Sequence, residues 1–257
     1  MPNVRIAKGL NLYFRKSGSG DRNLLLIHGN TASSLWWERV MALLPGGVTA
    51  WAPDLRCCGD SDRTEGGWTM ADLGDDVFQF CQAVGIRRAT VVGHSLGGAV
   101  AQQLTVDHPE LVERLVLVNS AEPAGLVTPP ERYAQLEVAV RQPGLLKMAL
   151  AAMMPTAPKD EFYQRLLEES VTKSAGALIP NGRALDTMNL VERVKGIAVP
   201  VLILYGQQDA LITLEMMQRA NRQIPGSTLE VWPEVGHSAP VEDPERFTWR
   251  LVEFMGL

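Results

Sequence analysis

Short runs dominated by apolar residues recur along this chain and constrain its fold more than any other feature. They include Leu24-Leu25-Leu26-Ile27, Val48-Thr49-Ala50-Trp51-Ala52, Ala89-Thr90-Val91-Val92, Leu115-Val116-Leu117-Val118 and Val201-Leu202-Ile203-Leu204-Tyr205. A strand with one wet face alternates apolar and polar residues, so a continuous run predicts a strand covered on both faces. Helical stretches separate the runs. Thr69-x-x-Asp72 has the form of a capping box that opens a helix closing at Gly85, and another helix is expected from about Leu96 to His108-Pro109. Strands alternating with helices predict an α/β domain with a mostly parallel central sheet and helices on both faces.

The N-terminus differs. Val4-Arg5-Ile6-Ala7 and Leu10-Asn11-Leu12-Tyr13-Phe14, separated by Lys8-Gly9, predict an edge hairpin. A helix through Trp36-Val40, capped by Ser33 or Ser34, is expected after the first buried run. Between about Ala121 and Val199 the alternation breaks into a proline-interrupted segment with helical patches at Glu131–Val140 and Asp160–Val171 and no clear strand. We read it as a helical cap, 121–199, inserted between two parts of one core, 1–120 and 200–257. After Val201–Tyr205 come a helix at Leu214–Ile224, a strand at Thr228–Trp232 and a final helix at Pro244–Met255.

Composition excludes several classes. With 46% hydrophobic residues, 21% charged residues and a net charge of -5, the chain carries no basic stripe for nucleic acid. The most apolar stretch, Leu145–Met154, contains Lys147 and is too short to span a bilayer. Met1–Leu12 has no signal-peptide pattern, so a cytoplasmic location is expected. The cysteines, Cys57, Cys58 and Cys81, supply no disulfide framework, and all are read as reduced thiols. No histidine-carboxylate cluster has metal-ligand spacing, so neither a metal nor a cofactor is expected. A monomer or homodimer is expected.

The chemistry centres on Gly93-His94-Ser95-Leu96-Gly97, which follows the Ala89–Val92 run. A serine between glycines at a strand end predicts a sharp turn that holds the hydroxyl out for nucleophilic attack. Such a hydroxyl needs a base and donors for an oxyanion. Of the histidines, His108 lies at a helix end, His94 within the serine turn, and His28 on a loop after an early strand, where it reads as a loop organiser. His237, after the last expected strand, is left as the base. Asp209, just past Val201–Tyr205, is the expected acid that orients it, with Glu122 after the preceding strand as the competitor.

The order Ser95, Asp209, His237, together with His28-Gly29 after an early strand, resembles the α/β-hydrolase superfamily from about Leu24 to Leu257. The resemblance implies an α/β-hydrolase fold and an oxyanion hole formed by the backbone N–H groups of Leu96 and Asn30. Asp54-Leu55-Arg56-Cys57-Cys58-Gly59-Asp60-Ser61 resembles the D-x-R-G-x-G-x-S loop of small-molecule members. Cys57 replaces its first glycine, which argues against a left-handed backbone there. The expected activity is hydrolysis of small-molecule carboxylic esters or lactones through an acyl-enzyme on Ser95. Perhydrolase and carbon-carbon bond hydrolase chemistry on the same triad are alternatives, with acyl transfer, a lyase or a ligand receptor further behind. Leu145, Leu146, Met148, Leu150, Met153 and Met154 form an apolar stripe expected to pack on the core or to line the acyl pocket.

Overall fold

The computed structural model describes residues 2–257. Its strands are β1 Asn3–Arg5, β2 Asn11–Ser17, β3 Arg22–Ile27, β4 Val48–Pro53, β5 Ala89–His94, β6 Val112–Val118, β7 Val201–Gly206 and β8 Thr228–Trp232. They form one eight-stranded sheet in the order β1-β2-β4-β3-β5-β6-β7-β8. The β1–β2 and β2–β4 pairs are antiparallel, whereas β3 to β8 run parallel. The antiparallel edge is the expected hairpin.

The helices are α1 Glu38–Leu43, α2 Met70–Val84, α3 Leu96–Asp107, α4 Pro130–Arg141, α5 Pro143–Met153, α6 Glu161–Glu169, α7 Leu178–Asp186, α8 Leu214–Gln223, α9 Ala239–Glu242 and α10 Pro244–Met255. The continuous apolar strands are explained by their two covered faces. Leu25, Ile27, Val91, Leu115, Leu117 and Ile203 pack in the layer that contains residues of α2, α3 and α8. Their neighbours Leu24, Leu26, Val92, Val116, Val118 and Leu202 point to the opposite layer, which holds Trp37, Phe247 and Leu251. Successive strand side chains alternate between faces, and here both destinations are dry.

Local signals set several element ends. The Thr69 hydroxyl accepts from Asp72 N at 3.0 Å, the Asp72 carboxylate accepts from Thr69 N, and Gly85 closes α2 at φ 79°. Ser33 accepts from Leu35 N, but the cap heads a tight turn, Ser34–Trp37, and α1 starts only at Glu38.

The 121–199 stretch contains α4, α5, α6 and α7 between β6 and β7. Its inner apolar residues, including Leu146, Leu150, Met154, Phe162 and Leu166, cluster with Ala32, Leu35 and Trp36 of the loop after β3. Leu145 and Met148 of the apolar stripe instead face outward, 44% and 69% exposed.

The loop after β4 corrects one expectation. Cys57 has φ 62°, the left-handed conformation that its side chain argued against. The surrounding bonds hold it there: Cys57 N donates to Asp62 O at 2.9 Å, and Thr64 N donates to Cys57 Sγ at 3.0 Å. A left-handed L-residue costs roughly 1–2 kcal/mol, within what two such bonds in a well-anchored loop can offset. The anchor is the buried Arg56–Asp76 pair, bidentate at 2.6 Å on both arms.

Candidate active site

Ser95 sits between β5 and α3 at φ 55° and ψ -118°, a conformation rarely adopted by a residue with a Cβ. Strain of this kind costs of the order of 1–3 kcal/mol and persists only where the surroundings over-determine it. The flanking glycines explain how the turn closes. A Cβ on Gly93 would lie 2.3 Å from Gly97 O, and one on Gly97 would lie 2.3 Å from Ile27 O and 2.4 Å from His28 O. Only hydrogen fits at either position. Left-handed non-glycine residues also follow three neighbouring parallel strands, as Thr31 after β3, Cys57 after β4 and Asn119 after β6, so strain collects at this one rim of the sheet.

His237 lies on the loop after β8, and its Nδ1 is 2.6 Å from Asp209 Oδ2. An ionised carboxylate only accepts, so Nδ1 donates the bond, and in the neutral ring this leaves the lone pair on Nε2. Burial pushes the Asp209 carboxyl up, but the bond and charge of His237, with donation from Leu211 N and Asn119, outweigh it and hold the group below its usual value. Both ring and carboxylate are shielded, at 5% and 0% side-chain exposure, so the contact is little screened. The competing acid is occupied elsewhere: Glu122 accepts from Arg219 Nε and Nη2 at 2.9 and 2.8 Å.

Two other histidines, His94 and His28, are held neutral by burial. His94 is buried beneath the site, stacks on Trp36 and contacts His237 O through Nε2 at 2.9 Å. Burial, reinforced by the neighbouring His237, lowers it to about 3. His28 Nε2 accepts from Leu55 N at 2.9 Å while Nδ1 faces Gly29 O at 2.8 Å, which joins the ends of β3 and β4; burial lowers it to about 4. His108 stacks on Phe78 at the opposite end of α3 from Ser95.

Two residues that the sequence did not single out build the acid-histidine pair. Asn119 Nδ2 donates to Asp209 Oδ2 at 2.7 Å, while its Oδ1 accepts from Gly206 N at 3.0 Å. Its signal was an asparagine directly after an apolar strand, where a left-handed residue is tolerated. Glu242 is buried in the turn after the histidine and accepts from Gly236 N, Ser238 N, and Thr156 N and Oγ1, at 3.0, 2.8, 3.2 and 2.6 Å. It thereby ties both neighbours of His237 to the connection between α5 and α6. Glu242→Gln places an amide donor against one of these donors; unfolding free energy is expected to fall by about 2 kcal/mol and turnover to fall with it, read by urea midpoint and initial rates. An unchanged midpoint would show that the carboxylate does not hold the loop.

Ser95, His94 and His237 share a cavity of about 360 Å³ with Gly29 and Asn30, roofed by residues such as Leu146, Leu150 and Met153. The N–H groups of Leu96 and Asn30 make no backbone hydrogen bond among the described residues. The Asn30 side chain is committed to structure: Nδ2 donates to Leu178 O at 2.9 Å, and Oδ1 accepts from Thr31 N and Asn181 Nδ2. Among the described residues, no three His, Cys, Asp or Glu side chains gather into a metal-holding group. The cysteines are buried and free, and burial pushes Cys58 and Cys81 up, so these thiols stay protonated.

A parallel sheet covered on both faces, with a strained serine at the end of a central strand and an acid-histidine pair at the ends of later strands, defines the α/β-hydrolase class. The chain belongs to the alpha/beta hydrolase family, whose profile matches residues 24–248. The 3-oxoadipate enol-lactonase 2 of Acinetobacter baylyi is 28% identical over 248 residues, spanning 94% of this chain and 91% of that protein. A 2-hydroxymuconate semialdehyde hydrolase of Pseudomonas putida is 31% identical over 215 residues, 79% of this chain and 74% of that one. The crystal structure of an esterase from Rhodococcus sp. aligns with a TM-score of 0.84 at 27% identity, covering 99% of this chain and 98% of the esterase.

Proposed function

We propose that this protein is a serine hydrolase of small-molecule carboxylic esters and lactones, working through an acyl-enzyme on Ser95. The observation that carries the reading is the 2.6 Å contact of Asp209 with His237 Nδ1, which leaves Nε2 as a base on the cavity wall shared with Ser95. In this mechanism Nε2 takes the Ser95 proton as Oγ bonds to the carbonyl carbon. The oxyanion is received by the N–H groups of Leu96 and Asn30, each such donor being worth about 2.7–4 kcal/mol in comparable sites. The imidazolium then protonates the leaving alkoxide, and water, deprotonated by the same nitrogen, attacks the acyl-enzyme and frees the acid. Asp209 keeps the imidazole in the required tautomer and stabilises its charged form.

The helices of 121–199 serve in this reading as a cap that closes the apolar side of the cavity. A volume of about 360 Å³ lies near the lower end of small-molecule sites, which favours short to medium acyl groups. Esterase, enol-lactonase and semialdehyde-hydrolase relatives support hydrolysis as the reaction class. The test is a fluorophosphonate probe followed by peptide mass spectrometry. A single adduct on Ser95, absent from Ser95→Ala and accompanied by turnover of p-nitrophenyl acetate in the unlabelled enzyme, is the expected result. Labelling elsewhere, or unchanged turnover in Ser95→Ala, would overturn the assignment.

A further inference from the structure

The cavity wall carries one feature that ester cleavage alone does not use. Apart from the two histidines, its only ionisable lining residue among the described residues is Arg132, on the first turn of α4, with Thr128 one turn before it on the preceding loop. Among the described residues no carboxylate lines the cavity with it, and the rest of the wall is mainly apolar. Among the described residues no acidic oxygen lies within 4.0 Å of the guanidinium. The neighbouring Arg183 on α7 is engaged, lying over the Tyr133 ring. The nearby carboxylate Asp186 is taken by Thr128 N at 2.7 Å and the Tyr133 hydroxyl at 2.5 Å. A cation left without an anion at the edge of an otherwise apolar site is a recognition element lacking its partner.

We propose that Arg132, with Thr128 on the same cavity wall, is the subsite for a carboxylate on the substrate, so that the preferred substrates are esters or lactones bearing a second, ionised carboxyl group away from the scissile bond. The proposal rests on the serine-hydrolase reading and narrows its substrate class. The chain carries a net charge of -5, which repels an anionic substrate in general, and a local cation is what makes entry at this mouth favourable. Arg132 is exposed at the opening, so solvent and salt screen the contact and its effect is modest.

The experiment compares p-nitrophenyl butyrate with mono-p-nitrophenyl glutarate, which share a leaving group and differ by a terminal carboxylate. In the wild-type enzyme, kcat/KM for the glutarate exceeds that for the butyrate. Arg132→Gln lowers kcat/KM for the glutarate about fivefold, mainly through KM, and leaves the butyrate unchanged; Arg132→Glu lowers the glutarate further. Added NaCl raises KM for the glutarate in the wild type but not in Arg132→Gln. Equal loss on both esters, or no loss on the glutarate, overturns the carboxylate subsite while leaving ester hydrolysis intact. Absence of turnover on both esters in the wild type overturns the serine-hydrolase reading itself, and the subsite with it.

Discussion

Asp209→Asn is expected to lower kcat by about 10⁴-fold, the size of the corresponding change in the serine-protease triad, while the fold survives. The reason lies in how completely the carboxylate is used. Oδ2 accepts from His237 Nδ1 and Asn119 Nδ2 at 2.6 and 2.7 Å, and Oδ1 accepts from Leu211 N and Ile212 N at 2.7 and 3.1 Å. An asparagine has one acceptor oxygen, and turning it toward the two backbone donors aims its NH2 at the imidazole. Nδ1 must then accept, the proton moves to Nε2, and the nitrogen facing the cavity can no longer take a proton from Ser95. Steady-state rates with an unchanged far-ultraviolet spectrum and melting transition check this. Glu122→Gln provides the contrast, since its carboxylate is bonded to Arg219 and not to His237. Activity that followed Glu122 and ignored Asp209 would sink the assignment of the acid.

Acid lability is the second large effect, and it comes from histidines that do no chemistry. Burial holds His28 at about 4 and His94 at about 3, against 6.5 for a free imidazole. Below 6.5 the unfolded chain binds protons that the folded chain refuses, so stability is complete above that pH and is lost as pH falls toward the folded values. Two such groups lose about 4 kcal/mol between neutral pH and pH 5, at 1.36 kcal/mol per unit for each. Asp209, whose carboxyl is held below its usual value, loses its contribution only at lower pH. Asp54, raised by burial, acts in the opposite sense and softens the slope. Urea midpoints at pH 7.5 and 5.0 measure the loss, and His28→Gln should remove about half of it. A midpoint that does not move over this range would mean that these imidazoles already titrate in the native state.

The parts of the fold that the sequence revealed are those written in a few consecutive residues. Apolar runs marked β3 to β7 because a strand buried on both faces needs nothing but local composition, and α2 announced both its ends through Thr69, Asp72 and Gly85. The α5 segment was read only as an apolar stripe, and two helices, α7 and α9, were not foreseen. The first has Pro180, Asn181 and Gly182 inside it, which weaken a helical pattern although a proline is tolerated in a first turn, and the second is only four residues long. Glu242 escaped notice for a different reason, as its role depends on amides brought to it by a loop and by a distant helix connection.

By itself, then, the sequence determined the sheet, the serine turn and the identity of the candidate base, because apolar periodicity, glycine sterics and a scarcity of histidines are properties of the chain read in order. Which acid meets His237 was decided only in three dimensions. Strands β6, β7 and β8 lie side by side, so the loops after β7 and β8 adjoin, while the residue after β6 that competes for the role is drawn to Arg219 on α8. The same holds for Arg132, a residue of no note in the sequence that becomes distinctive when α4 places it on the cavity wall without a partner. Proximity between residues far apart in the chain is fixed by packing, and no local pattern encodes it.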